Sequence, residues 1–81
     1  LSAVYSREGE AWILVGNTGL EPRQVRVRIN TARLPVPLPA AASVQQIEGE
    51  TARRLDKARA TGAGEMIGIP AAGAVLLRVS R

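Results

Sequence analysis

Within the run of residues 23–30, polar and apolar residues alternate without a break from Gln24 to Asn30. Val25, Val27 and Ile29 fall on one side; Gln24, Arg26, Arg28 and Asn30 fall on the other. A period of two predicts a β-strand with one buried and one wet face. Residues 11–17 behave differently, because Ala11-Trp12-Ile13-Leu14-Val15-Gly16 is apolar on both sides. Residues 1–6 alternate small polar with larger apolar side chains and are separated from that run by Arg7-Glu8-Gly9-Glu10. The two runs predict a hairpin with Glu8-Gly9 as its two-residue loop, Gly9 supplying the positive φ. The register follows from the loop length. It sets Tyr5 opposite Trp12, Val4 opposite Ile13 and Arg7 opposite Glu10. An aromatic, an aliphatic and an ionic pair result, each worth roughly 0.2–1 kcal/mol.

Asn17-Thr18-Gly19-Leu20-Glu21-Pro22 reads as a turn, with Pro22 stopping the pairing and Gly19 at the corner. Proline at alternate positions in Leu34-Pro35-Val36-Pro37-Leu38-Pro39 excludes a helix and a central strand. Residues 31–42 are therefore expected to run extended along an edge or between sheets, with Leu34, Val36 and Leu38 packing down. Residues 43–47 and 51–55 predict two short strands joined by a turn at Glu48-Gly49-Glu50. Residues 56–64 read mainly as a loop or ragged strand. Lys57-Ala58-Arg59-Ala60 offers one helical turn that Gly62 and Gly64 cut short. Residues 65–69 and 74–80 predict a last hairpin about a Pro/Gly turn, its final strand buried on both faces. No stretch carries a 3.6-residue period. About seven short strands with turns every 8–12 residues predict an all-β fold: a single antiparallel β-sandwich domain over residues 1–81, Greek-key-like in connection.

Composition narrows the functional classes. A chain of 81 residues buries only about 60–65% of its unfolded surface and is stable by about 5 kcal/mol. It has no cysteine, hence no disulfide and no thiolate ligand. No segment resembles a signal peptide, and no apolar run nears the ~20 residues of a membrane span, so no membrane partner is expected. Because the first residue is Leu1, the chain is expected to be a piece of a longer protein, and its apolar closing strand suits a C-terminal fragment. The net charge of +4 is carried almost wholly by arginine, with Lys57 the only lysine. Tyr5 and Trp12 are the only aromatics. Single-strand binders need several stacking platforms, so no nucleic-acid partner is expected. Arginine and alanine richness with one lysine fits a high-GC genome better than a selected basic surface.

Candidate chemistry is sparse. With no histidine, imidazole bases and imidazole-bound metals are excluded. Glu48 and Glu50 flank Gly49 and invite comparison with the paired carboxylates of glycoside hydrolysis. On a turn, however, nothing would desolvate them, and solvated carboxylates are expected. Glu48, Glu50 and Asp56 offer oxygen ligands for calcium, but their spacing matches no familiar calcium loop. No catalytic, cofactor-binding or metal residue is assigned, and no cofactor is expected. Tyr5, Trp12 and Leu14 remain: sandwich core, anchors against a neighbouring domain, or a platform for a sugar ring. Arg26 and Arg28 form a stripe expected to be solvated, where it discourages edge-to-edge aggregation; salt bridges with a partner domain are the alternative.

Three segments together resemble the small C-terminal β-sandwich of glycoside hydrolases with a (β/α)8 catalytic barrel, as in the α-amylase, α-glucosidase and α-galactosidase groups. They are the apolar strand and turn from Ala11 through Asn17 to Pro22, the strand Ser43-Val44-Gln45-Gln46-Ile47 ending in Glu48-Gly49-Glu50, and the closing Ile69-Pro70-Ala71-Ala72-Gly73-Ala74-Val75-Leu76-Leu77-Arg78-Val79. That family's mid-chain strand commonly carries Asp and Leu before the Gly, where this chain has Gln45, Gln46, Ile47 and Glu48, and the proline-rich crossing is unusual for it. The resemblance implies a non-catalytic accessory domain that is no enzyme by itself. Its partner would be an upstream catalytic domain of the same chain. Two alternatives stand beside it: an autonomous carbohydrate-binding module, whose partner would be carbohydrate, and an immunoglobulin- or fibronectin-like interaction domain.

Overall fold

The computed structural model describes residues 2–59 and 62–81 and is all-β. Its strands are β1 (Ser2–Arg7), β2 (Glu10–Gly16), β3 (Arg23–Val27), β4 (Ser43–Glu48), β5 (Thr51–Arg54), β6 (Glu65–Ile69) and β7 (Ala74–Ser80). The seven expected strands are all present. The first was expected from Leu1, which lies outside the described residues. Single 3-10 turns occupy Thr31–Arg33 and Asp56–Ala58. The second falls within the expected loop and starts one residue before the anticipated helical turn; Ala60, the last residue of that turn, is outside the described residues.

Two antiparallel sheets form, one of five strands in the order β1-β2-β7-β4-β5 and one of β3 and β6. The first hairpin has the expected register, with Tyr5 opposite Trp12, Val4 opposite Ile13 and Arg7 opposite Glu10. Gly9 takes φ +85°, and a Cβ there would meet nothing within 4 Å, so the loop needs glycine for its backbone and not for space. The last strand inserts between β2 and β4 and so holds two hairpins in one sheet. The Greek-key connection anticipated for the sandwich is not confirmed by this order.

The core lies between the sheets. Ala11, Val44, Leu77 and Val79 rise from the five-stranded sheet, and Ile67 and Ile69 descend from β6. Leu34 and Leu38 of the proline-rich crossing are buried against them, while Val36 is half-buried. The crossing is tied to β1 by Ser6, whose Oγ accepts from Val36 N at 3.0 Å. Leu38 N donates to Thr31 O at 3.0 Å and holds the bend. Gln46 sits buried on the core face, where a polar group must be paired. Its Oε1 accepts from Arg53 and its Nε2 donates to Glu48, both at 3.0 Å.

Two expectations are corrected. The alternating strand was expected to reach Asn30 but ends at Val27, because its partner β6 begins at Glu65, opposite Val27. Beyond that point Ile29 N turns to Ala58 O at 2.9 Å. The closing strand was expected to be buried on both faces. Val75, Leu77 and Val79 are buried, but Leu76 and Arg78 on the other side are only half-buried. That side belongs to the outer face of the five-stranded sheet, which no described element covers.

Candidate functional site

The outer face is built in rows of directly opposed residues. One row runs Tyr5, Trp12, Arg78, Gln45, Arg54 across β1, β2, β7, β4 and β5. The next runs Ala3, Leu14, Leu76, Ile47, Ala52 and contains no polar side chain. The three residues singled out in the sequence, Tyr5, Trp12 and Leu14, are therefore brought onto one surface. Tyr5 is 63% and Leu14 46% exposed, and Trp12 is half-buried. Trp12 is not part of the sandwich core. Its neighbours Ala11 and Ile13 take the inward positions.

Trp12 is held by charge. Arg78, directly opposite on β7, places its guanidinium 5.5 Å from the ring centroid, within cation–π range. The indole Nε1 donates to Glu10 Oε1 at 3.2 Å. Glu10 also pairs with Arg7 at 2.6 Å and with Arg78 at 3.4 Å. The indole hydrogen bond and the two arginines outweigh partial burial, and they hold the Glu10 carboxyl below the usual carboxylate range. That direction suits a permanent anion and is opposite to what a general acid needs. The Nε of Arg78 has no hydrogen-bond partner among the described residues.

The other acidic residues are separate. Glu48 and Glu50 are exposed around the Gly49 turn, and Gly49 takes φ +57°. Asp56 pairs with Arg54 at 3.3 Å and Arg59 at 3.7 Å. Among the described residues no three acidic side chains gather as a metal site would require. Arg26 and Arg28 are exposed, and Arg26 donates to Ala63 O at 3.4 Å. No helix among the described residues is long and apolar enough to cross a membrane.

Residue-level reading of the sequence did not single out Asn17 beyond its turn. Buried at 7% exposure, its side chain joins three segments. Nδ2 donates to Glu21 O at 2.8 Å, Pro70 O at 3.2 Å and Ile69 O at 3.4 Å. Oδ1 accepts from Gly19 N at 2.9 Å, the Asx-turn that an Asn-Thr-Gly sequence signals. Its backbone N donates to Gly73 O at 2.8 Å, and Ala72 N donates to Gly19 O at 3.0 Å. The turn after β2 and the turn before β7, two of the segments behind the family resemblance, are thus pinned together. This is structural chemistry, with no reacting group. Compared with protein-family models, curated proteins and solved structures, the chain matches no family model, no curated protein and no solved structure.

Proposed function

We propose that the chain is a non-catalytic accessory module whose outer sheet face packs on a larger neighbouring domain, in the manner of the C-terminal β-sandwich of a barrel glycoside hydrolase. The observation that carries this reading is the apolar row Ala3, Leu14, Leu76, Ile47 and Ala52 on the outer face. A strand apolar on both sides has two surfaces to bury, and the second sheet covers only one. Contiguous exposed apolar surface marks an interaction site more often than a free face. The Trp12–Arg78–Glu10 cluster would form the polar rim of such a contact, with Tyr5 as its aromatic edge.

A sugar platform is the weaker reading, because a stacking surface needs an open ring face and Arg78 lies over that of Trp12. An immunoglobulin-like reading expects its tryptophan between the sheets, and Trp12 stands outside them. The polypeptide encoded before Leu1 provides the main test. A (β/α)8 pattern there supports the accessory reading, and a different neighbour or none counts against the glycoside hydrolase assignment. Isothermal titration of the isolated chain with α-glucans and galactans tests the sugar reading. Heat beyond dilution at millimolar sugar would overturn the preference stated here.

A further inference from the structure

The sandwich is unequal, five strands against two, and burial falls off toward one side. On β7 and β6 the inward residues Val75, Leu77, Val79, Ile67 and Ile69 are all at most 6% exposed. On β2 and β3 the inward Ile13, Val15, Val25 and Val27 are only partly buried. On β1 the inward Val4, opposite Ile13, is 47% exposed. Between the inner face of β1 and β2 and the strand β3 lies a groove of about 420 Å³, floored by Ile13, Val15 and Leu77. The second sheet lacks a strand at this place.

The wall of that groove is a free strand edge. β3 pairs only with β6 among the described residues. Ile29 N donates to Ala58 O, in the turn that packs beside β6. Backbone groups alternate sides along an antiparallel strand. Val25 and Val27 therefore direct theirs to β6, and Gln24 and Arg26 direct theirs into the groove. The charged residues around it are Arg26, Arg28 and Arg33, and no acidic residue lines it.

We propose that this groove accepts an extended segment of a partner polypeptide, alternating apolar and acidic residues, which pairs with the free edge of β3 as a third strand of the small sheet. Main-chain hydrogen bonds give such strand addition its affinity, and alternate side chains give it its specificity. Inward apolar residues of the segment cover Val4, Ile13 and Val15. Outward acidic residues fall beside Arg28 and beside Arg26, whose exposed guanidinium exchanges its 3.4 Å bond to Ala63 O for the incoming carboxylate. A second copy of this chain is the poorer occupant, since pairing two β3 edges brings Arg26 and Arg28 near their own counterparts, and like charges facing across strands destabilise. The matched length is that of β3, five residues, or about 17 Å.

The test uses fluorescein-labelled synthetic peptides alternating valine with glutamate, or valine with lysine, titrated into the 81-residue chain by anisotropy. The glutamate peptide is expected to bind saturably and the lysine peptide not to bind. Amide exchange at Gln24 and Arg26 should slow in the complex. Arg26→Glu with Arg28→Glu, both at exposed positions, should weaken the glutamate peptide about tenfold and admit the lysine peptide. Circular dichroism verifies that this variant is folded. Leu14→Asp, on the opposite face of the sheet, should leave peptide binding unchanged, so this inference and the outer-face reading fail separately. Absence of saturable binding, equal binding of both peptides, unaltered exchange at Gln24 and Arg26, or sedimentation of the free chain as a dimer through this edge would overturn the proposal.

Discussion

Replacing Asn17 with alanine should destabilise the domain far more than its place in a turn suggests. The substitution removes the Oδ1 bond from Gly19 N at 2.9 Å. It also removes an amide whose two donors are shared among Glu21 O, Pro70 O and Ile69 O at 2.8–3.4 Å. Three bonds at about 0.5–1.5 kcal/mol each give about 1.5–4.5 kcal/mol. Asn17 lines a groove open to solvent, so water can re-satisfy part of the loss, and about 2 kcal/mol is expected to remain. Domains of this length carry about 4–12 kcal/mol in total. The change is therefore visible as a fall in Tm of about 8–16 °C. Urea unfolding followed by Trp12 fluorescence and thermal unfolding by circular dichroism both measure it. Asn17→Asp sharpens the reasoning. It keeps the shape and the acceptor but directs a carboxylate at carbonyl oxygens, so its folded pKa is raised. Its deficit should be complete above that pKa and should shrink as acid restores a donor below it. An alanine variant within 0.5 kcal/mol of the parent, or an aspartate variant as stable as asparagine at neutral pH, would refute the view of Asn17 as the clamp between the two turns.

Leu77 has no exposure at the centre of the core, and its truncation to alanine should cost the domain about 2–5 kcal/mol, read as a fall in the urea midpoint by circular dichroism. Glu10, whose folded pKa lies below its ordinary 4.5, contributes stability that is present above that value and lost as pH falls through the folded pKa. Glu10→Gln should therefore be less stable than the parent at neutral pH, with the difference closing in acid when Trp12 fluorescence is followed against pH. Gly9→Ala should cost about 1–2 kcal/mol in urea unfolding, because φ +85° is strained for any Cβ although the space is empty.

The first hairpin was legible down to its register because a two-residue loop leaves one pairing that matches Tyr5 with Trp12 and Arg7 with Glu10. Strand number and most boundaries were legible for a similar reason, since proline, glycine and period-two alternation act within a few residues. The end of β3 was not, because Val27 and Ile29 have the same local pattern and differ only in whether β6 is still alongside. The candidate surface was half legible. The sequence placed Trp12 and Leu14 on one side of β2, but Leu76, Ile47 and Ala52 joined them only through pairings across long stretches of chain. Arg26 and Arg28 read as a solvated stripe, and nothing local showed that their strand borders an open groove.

By itself, then, the sequence determined an all-β chain of seven strands, their turns and one hairpin register, because these depend on backbone sterics and on side chains close together in the chain. Which strands became neighbours was decided only in three dimensions. The last strand lies between the second and fourth, and only that order gathers the apolar outer row. The two faces of β2 are equally apolar, so periodicity cannot choose between them. The choice is made by the side on which β3, β6 and the proline-rich crossing lie: they bury Ala11 and partly cover Ile13 and Val15, and they leave Trp12 and Leu14 on the outer face. A two-stranded sheet over a five-stranded one also leaves an edge and a groove that no local pattern encodes, because coverage is a property of the assembled layers.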